Sequence, residues 1–257
     1  MRIDLNTDLG ESFGAWTMGD DDAMLDLVTS ANVACGFHAG DPIVMHRTIA
    51  AARDRGVSVG AHPGFLDLWG FGRRPILGDS PADIEKMLVY QIGAAQAVAA
   101  SVGVRLAHVK IHGSLGNMAM VDPDLAAAVA RAVRTIDRDL ILVVMPGLAL
   151  ERAGLGEGLV LAREVYADRT YNDDGNLTSR KVAGAVTHDA EAAAARVRRM
   201  VEDGAVTTVT GRRLPVQIDT ICVHGDNPQA VAMARTVRTM LEAGGAELRP
   251  FADILRA

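Results

Sequence analysis

The chain has 257 residues, 49% of them hydrophobic but only 4% aromatic, and sets 26 Lys and Arg against 32 Asp and Glu for a net charge of −6. That length suits one α/β barrel with a large core, and the mild acidity does not favour a nucleic-acid binder. Two cysteines, a start without leader character and the lack of any apolar run of roughly 18 residues argue against a disulfide framework and a membrane span, and lead us to expect a reduced cytoplasmic protein.

Strand-like runs occupy residues 2–6, 31–35, 57–61, 107–111, 140–144, 159–164 and 219–223. Helical spacing of apolar residues fills 42–55. Ser80 and Pro81 open a second helix, as N-cap and first-turn proline, and Asp122-Pro123 does the same for 125–136. Helices over 188–200 and 227–241 complete the set. Strands alternating with helices predict parallel pairing through right-handed crossovers. A closed barrel and an open doubly wound sheet both accommodate this order. Polar residues end nearly every strand, whereas an open sheet would gather them at one switch point. The expected architecture is therefore a single seven-stranded (β/α) barrel over residues 1–257, with a small β-hairpin insertion near 205–217.

The strand ends carry the chemistry. Residues two apart on a strand share a face, so Asp4, Asn6 and Asp8 point one way, and Lys110 and His112 follow the same rule. Inward polar groups are costly unless hydrogen-bonded or used. One inward carboxylate is commonly a satisfied core group; five polar strand ends together mark a site. His38, His62, His112 and His224 end four different strands, with Asp8, Glu11 and Asp226 nearby. Two readings stay open. Either these groups bind a divalent metal that activates water, with Asp8, His38 and His62 as candidate ligands, or they act directly as acids, bases and oxyanion donors. His46 and His188 lie on helices, and His108 is read as facing away from Lys110. Arg73 and Arg74, in a glycine-rich loop, suit a carboxylate or phosphate, or else are solvated surface groups. Asp168 and Arg169, after the sixth strand, orient a substrate or brace their loop. No phosphate-binding P-loop, dinucleotide fingerprint or GxSxG elbow is present. Cys35 and Cys222 are read as packing groups rather than nucleophiles.

Taken in order, DLNTDLGE, SANVACGFHAGDP, GAHPGFLD, GFGRR, KIHG, YADRTY and CVHGD resemble the LamB/YcsF family from Asp4 to about Leu241. The resemblance implies a barrel of the glycoside hydrolase/deacetylase type. It also implies opening of the 5-oxo-L-proline lactam to L-glutamate, coupled to hydrolysis of ATP with Mg2+, together with partner subunits B and C; the nucleotide's seat is left open between this chain and the complex. Strand-end geometry and the resemblance together assign Asp8 and His112 as the water-activating pair, with Glu11 beside them. Lys110 is assigned to negative charge on the lactam oxygen or its phosphate, Arg73 and Arg74 to a carboxylate or phosphate. Asn6, His38, His62, Asp168, Arg169, His224 and Asp226 complete the substrate-binding set. The chain departs from the family in KIHGSLGN, residues 110–117, where the usual form is close to KPHGALYN. Gly116 in place of tyrosine leaves space for a larger cyclic amide. Two other readings remain: a stand-alone metal-dependent deacetylase or cyclic-amide hydrolase, and a non-catalytic substrate-binding subunit.

Overall fold

The computed structural model describes residues 1–225 and 229–256. In chain order the elements are β1 (Arg2–Leu9), α1 (Asp21–Leu25), β2 (Ser30–Ala34), α2 (Pro42–Asp54), β3 (Ser58–His62), α3 (Pro81–Ser101), β4 (His108–Val109), α4 (Gly113–Ala119), α5 (Pro123–Ile136), β5 (Ile141–Val144), α6 (Ala149–Gly156) and β6 (Leu161–Tyr166). They continue with α7 (Ala190–Asp203), β7 (Ala205–Thr207), β8 (Arg213–Pro215), β9 (Thr220–Cys222), α8 (Ala230–Ala243), β10 (Glu247–Leu248) and α9 (Phe251–Ile254). Local chemistry sets the helix starts. Asp41, Ser80, Asp122 and Asp189 each cap a helix through a side-chain oxygen, and proline follows at the first position in three of the four. A cap of this kind contributes about 1 kcal/mol.

The parallel strands run β1-β2-β3-β4-β5-β6-β9, and β1 pairs again with β9, which closes a seven-stranded barrel. The strand β10 adds to the lower end of β1 at Arg2 and Ile3, and β7 with β8 forms the antiparallel hairpin. Outward side chains such as Ile3, Leu5, Val33 and Val59 join the larger core beneath the helices. A smaller core of Ile141, Val143, Ala162, Phe251 and Ala252 fills the floor of the barrel. The short α9 supplies two of these five, so the C-terminal segment plugs the barrel from below. The Phe251 amide donates to Asp4 Oδ2 at 3.3 Å.

Above that plug the interior is polar. Asp4 accepts from Thr29, Ser30 and Thr220. Burial pushes its carboxyl up to about 6 in spite of these donors. One level higher, His108 Nε2 donates to Asn32 Oδ1 at 2.8 Å. His108 thus shares the inward face of Lys110, contrary to the expectation from sequence; two residues apart on one strand, the pair obeys the alternation rule. Gly60 on β3 makes room for the His108 ring, since a Cβ there would lie 2.1 Å from it.

Candidate active site at the barrel rim

Strand alternation places Asn6 and Asp8 inside the barrel, because β1 runs on to Leu9. Lys110 reaches across from the end of β4. Its Nζ lies 3.1 Å from Asp8 Oδ1 and 2.8 Å from Glu164 Oε1. It also donates to Asn6 Oδ1 at 3.3 Å and Cys222 Sγ at 3.0 Å, and sits 5.2 Å from the centre of the Tyr166 ring. Asn32 Nδ2 donates to Asp8 Oδ1 and Asn6 Oδ1. Burial opposes charge on Lys110, but Asp8 and Glu164 outweigh it and hold the ammonium well above its usual range. Burial likewise raises Asp8, yet His62 and Lys110 carry it well below the ordinary carboxylate value. The pair is ionised, desolvated and anchored from three strands.

Beside it stands a histidine cluster. His62 ends β3, His38 lies in the loop after β2, and His112 precedes α4. The His38 and His112 rings stack with centroids 3.6 Å apart, and His62 meets both edge-on. His62 Nε2 is 3.4 Å from Asp8 Oδ2, and His38 Nε2 is 3.3 Å from Glu11 Oε1. Burial and the neighbouring rings push the His38 imidazole well below its ordinary value and bring His112 down to about 3. Among the described residues, two groups have a composition able to hold a cation: Glu11 with His38, His62 and His112, and Asp8 with Cys222 and His224.

The opposite side of the rim is basic. His224 Nδ1 donates to both Asp168 oxygens at 2.9 Å, and Arg180 Nη2 donates to His224 Nε2 at 3.1 Å. Burial raises the Asp168 carboxyl, but His224 brings it below its ordinary value. Arg169 Nη2 donates to the Thr178 carbonyl, and Arg169 Nε is buried without a hydrogen-bond partner. A cavity of about 630 Å³ connects the two sides, with Asp8, His62, Lys110, His112, His224 and Gly116 in its wall. Arg73, Arg169, Arg180 and Lys181 also line it.

The rim thus unites Asn6, Asp8, Glu11, His38, His62, Lys110, His112, Asp168, Arg169 and His224. It separates the two arginines of the GFGRR loop: Arg73 lines the cavity, whereas Arg74 is tied to Asp67 and points away. Asp226 lies outside the described residues. Sequence reasoning left out Asn32, Glu164 and Arg180. The first two were within reach of the alternation rule, Asn32 two residues from Ser30 and Glu164 two from Tyr166. Arg180 sits in an irregular loop with no periodic signal.

A closed parallel barrel with ionised groups at the C-terminal ends of its strands defines the class: an α/β-barrel protein with its polar site where barrel enzymes carry theirs. The chain belongs to the LamB/YcsF family, whose match spans residues 3–256. It is 58% identical over 252 residues to a Rhodopseudomonas palustris (strain BisB5) protein that bears the name of the A subunit of 5-oxoprolinase, covering 98% of this chain and 99% of that one. A Gluconobacter oxydans (strain 621H) protein of the same name is 56% identical, with 96% and 97% covered. The crystal structure of the lactam utilization protein from Thermus thermophilus superposes with a TM-score of 0.91 at 43% identity, over 97% of this chain and 99% of that one. A GH113 β-1,4-mannanase, at 11% identity and a TM-score of 0.50 over 95% and 100% of the two chains, shares the fold alone.

Proposed function

We propose that the chain is the A subunit of an ATP-dependent 5-oxoprolinase, opening the lactam of 5-oxo-L-proline to L-glutamate. The observation that carries this reading is the buried Asp8–Lys110–Glu164 cluster beneath a cavity edged with arginines, one of which keeps an unmatched buried N–H. A five-membered lactam is a stable amide with a carboxylate beside it. Arg169 and Arg73 fit that carboxylate or a phosphate. Lys110 faces the cavity and suits the negative charge that develops on the lactam oxygen. Asp8 is ionised and accepts a proton from water, and His112 directs its Nδ1 lone pair to the same corner. Water adds to the ring carbonyl carbon, the C–N bond breaks, and the proton that Asp8 took from water passes to the ring nitrogen, which leaves as the amine.

ATP with Mg2+, when bound, would supply a phosphoryl group to the lactam oxygen, leaving ADP and making the ring carbon electrophilic, and that group would depart as inorganic phosphate once water has added. The basic lining of Arg73, Arg180 and Lys181 fits its phosphates, and we assign its full site to the complex with subunits B and C rather than to this chain alone. Trp16, Leu66, Leu68 and Trp69, exposed on the loops after β1 and β3, suit contact with those partners. Among the described residues no helix is long and apolar enough to cross a membrane. Both cysteines are free, which accords with the cytoplasmic location included in this reading. The test is ATP-dependent glutamate release from 5-oxoproline by the chain reconstituted with subunits B and C. We expect turnover in the parent complex and its loss in D8N; full activity in D8N sinks the assignment of Asp8.

A further inference from the structure

His224 stands between two carboxylates. The parallel registers that set Cys222 opposite both Asn6 and Tyr166, carried two residues further, place Asp8 on one side of His224 and Asp168 on the other. Gly225 lets the end of β9 press close to β1, since a Cβ there would lie 2.8 Å from the Asp8 carbonyl oxygen. Asp168 is buried and accepts from His224 Nδ1 on both oxygens at 2.9 Å. Arg180 Nη2 lies 3.1 Å from Nε2, and a guanidinium only donates, so the lone pair sits on Nε2 and the tautomer is fixed. Tyr166 stacks on the imidazole with centroids 5.5 Å apart and holds its plane. A His224 ring nitrogen also lies within 4.8 Å of an Asp8 oxygen. Two acceptors that share one water stand about 4.5 Å apart, so the gap suits the attacking water. It does not suit a metal ion: the Lys110 ammonium, 3.1 Å from Asp8 Oδ1 and 3.0 Å from Cys222 Sγ, already holds the positive charge there.

We propose that His224, oriented by Asp168, is a catalytic residue that carries the proton from Asp8 to the departing ring nitrogen. The inference rests on the lactam reading and gives the reaction a second face of the cavity. As water adds to the ring carbon, its proton goes to Asp8. Burial raises that carboxyl, but His62 and Lys110 carry it well below the ordinary value, so it gives the proton up readily. Burial brings His112 down to about 3, which makes it a poor carrier. The Nε2 electron pair of His224 takes the proton, and the Asp168 carboxylate beside Nδ1–H stabilises the imidazolium. When the C–N bond breaks, its electron pair takes the proton from Nε2. His224 and Asp8 return to their starting forms, and the nitrogen leaves as the amine. Arg180 lines the cavity with Arg73 and Arg169. An anionic lactam there competes with Nε2 for the guanidinium, so its arrival opens the lone pair.

The experiment uses the chain reconstituted with subunits B and C and follows ATP-dependent glutamate release. In H224A we expect kcat to fall by about a hundredfold to ten-thousandfold, with KM for 5-oxoproline within about threefold of the parent's. Imidazole added to the assay should restore that rate by about tenfold or more and leave the parent complex unchanged, because a free base replaces a proton carrier but not a brace. D168N, whose amide can donate to Nδ1 and move the proton to Nε2, should lose about a hundredfold or more in kcat. A parent complex that leaves 5-oxoproline intact sinks the lactam reading and this step with it. A parent that turns over, with H224A equal to it or with a loss that imidazole does not relieve, overturns the role of His224 alone. Should H224A fail to fold, nitrogen NMR of the parent chain reads the dyad directly. We expect a proton on Nδ1 and none on Nε2, with the order reversed in D168N. A parent ring protonated at Nε2 alone, or a His224 signal indifferent to D168N, overturns the proposal.

Discussion

The floor and the rim of this barrel are both polar and both buried, yet they are built on opposite terms. At the floor, Asp4 is surrounded by the Thr29, Ser30 and Thr220 hydroxyls and the Phe251 amide, and Phe251 seals the layer from below. At the rim, His62 Nε2 meets His112 Nδ1 at 3.0 Å and Arg169 keeps an N–H with no acceptor. A matched network such as that around Asp4 fixes a fold, whereas unmatched groups beside a cavity are held ready for something that arrives; between the two layers, His108 Nδ1 is also buried without a partner. Changes at the floor should therefore move stability, and changes at the rim should move turnover or binding.

Lys110 stands where the two regimes meet, and its loss is the largest expected effect. K110A leaves Asp8 and Glu164 buried without a counter-charge, which costs about 3–5 kcal/mol in chemical denaturation. If it still folds, ATP-dependent 5-oxoproline cleavage by the complex should fall by about a thousandfold. F251A empties the floor and should cost about 3–5 kcal/mol, with kcat of the surviving folded complex close to the parent's. A large fall in kcat there would break the division between floor and rim.

Asp4 sharpens the same contrast through pH. Its folded value near 6 lies above the ordinary 3.8, so the stabilising protonated form is fully present below pH 3.8 and is lost as pH rises through 6. The unfolding free energy of the parent should drop by roughly 3 kcal/mol from this group over that window. In D4N that component disappears, so the stability gap between parent and D4N narrows from pH 4 to pH 7. A gap that stays constant would show that Asp4 is not held neutral. R169M removes the unmatched donor and should raise the KM for 5-oxoproline or ATP by about tenfold to a hundredfold, with little change in Tm. R74A closes the series: Arg74 is exposed but its partner Asp67 is buried, and loss of the pair should cost about 1–3 kcal/mol in urea unfolding.

Much of this was legible in the sequence because period-two alternation survives in the barrel. Asp4, Asn6 and Asp8 face inward as their spacing requires, and the seven barrel strands lie where apolar runs place them. What escaped was non-periodic or very short. Glycine in KIHGSLGN reads as a bend, and Gly113 does turn the chain with φ of 56°. Yet the residues after it wind into α4, because a left-handed glycine can open a helix as well as a loop. Gly116 sits inside that helix with its Cα against the Ile111 carbonyl, where a Cβ would come within 2.7 Å. The floor plug was invisible for another reason: four helical residues around one phenylalanine give no pattern, and only the closed barrel supplies the hole they fill. The split between Arg73 and Arg74 likewise depends on Asp67, whose position is set by the loop fold rather than by spacing.

One backbone angle has a consequence for the whole rim. Phe71 is the one non-glycine residue among those described with a left-handed φ, 54°, and its carbonyl pins the proton of His112 to Nε2. A side chain kept in that conformation stores about 1–3 kcal/mol, so this peptide plane is under tension. Were it to rotate away, the imidazole could shift its hydrogen to the opposite nitrogen and turn from electron-pair donor to hydrogen donor. A peptide flip in the 67–74 segment would thereby change which nitrogen of His112 offers its hydrogen to His62 without displacing a single ring, and amide exchange at Gly72 and Arg73 would report how often it happens.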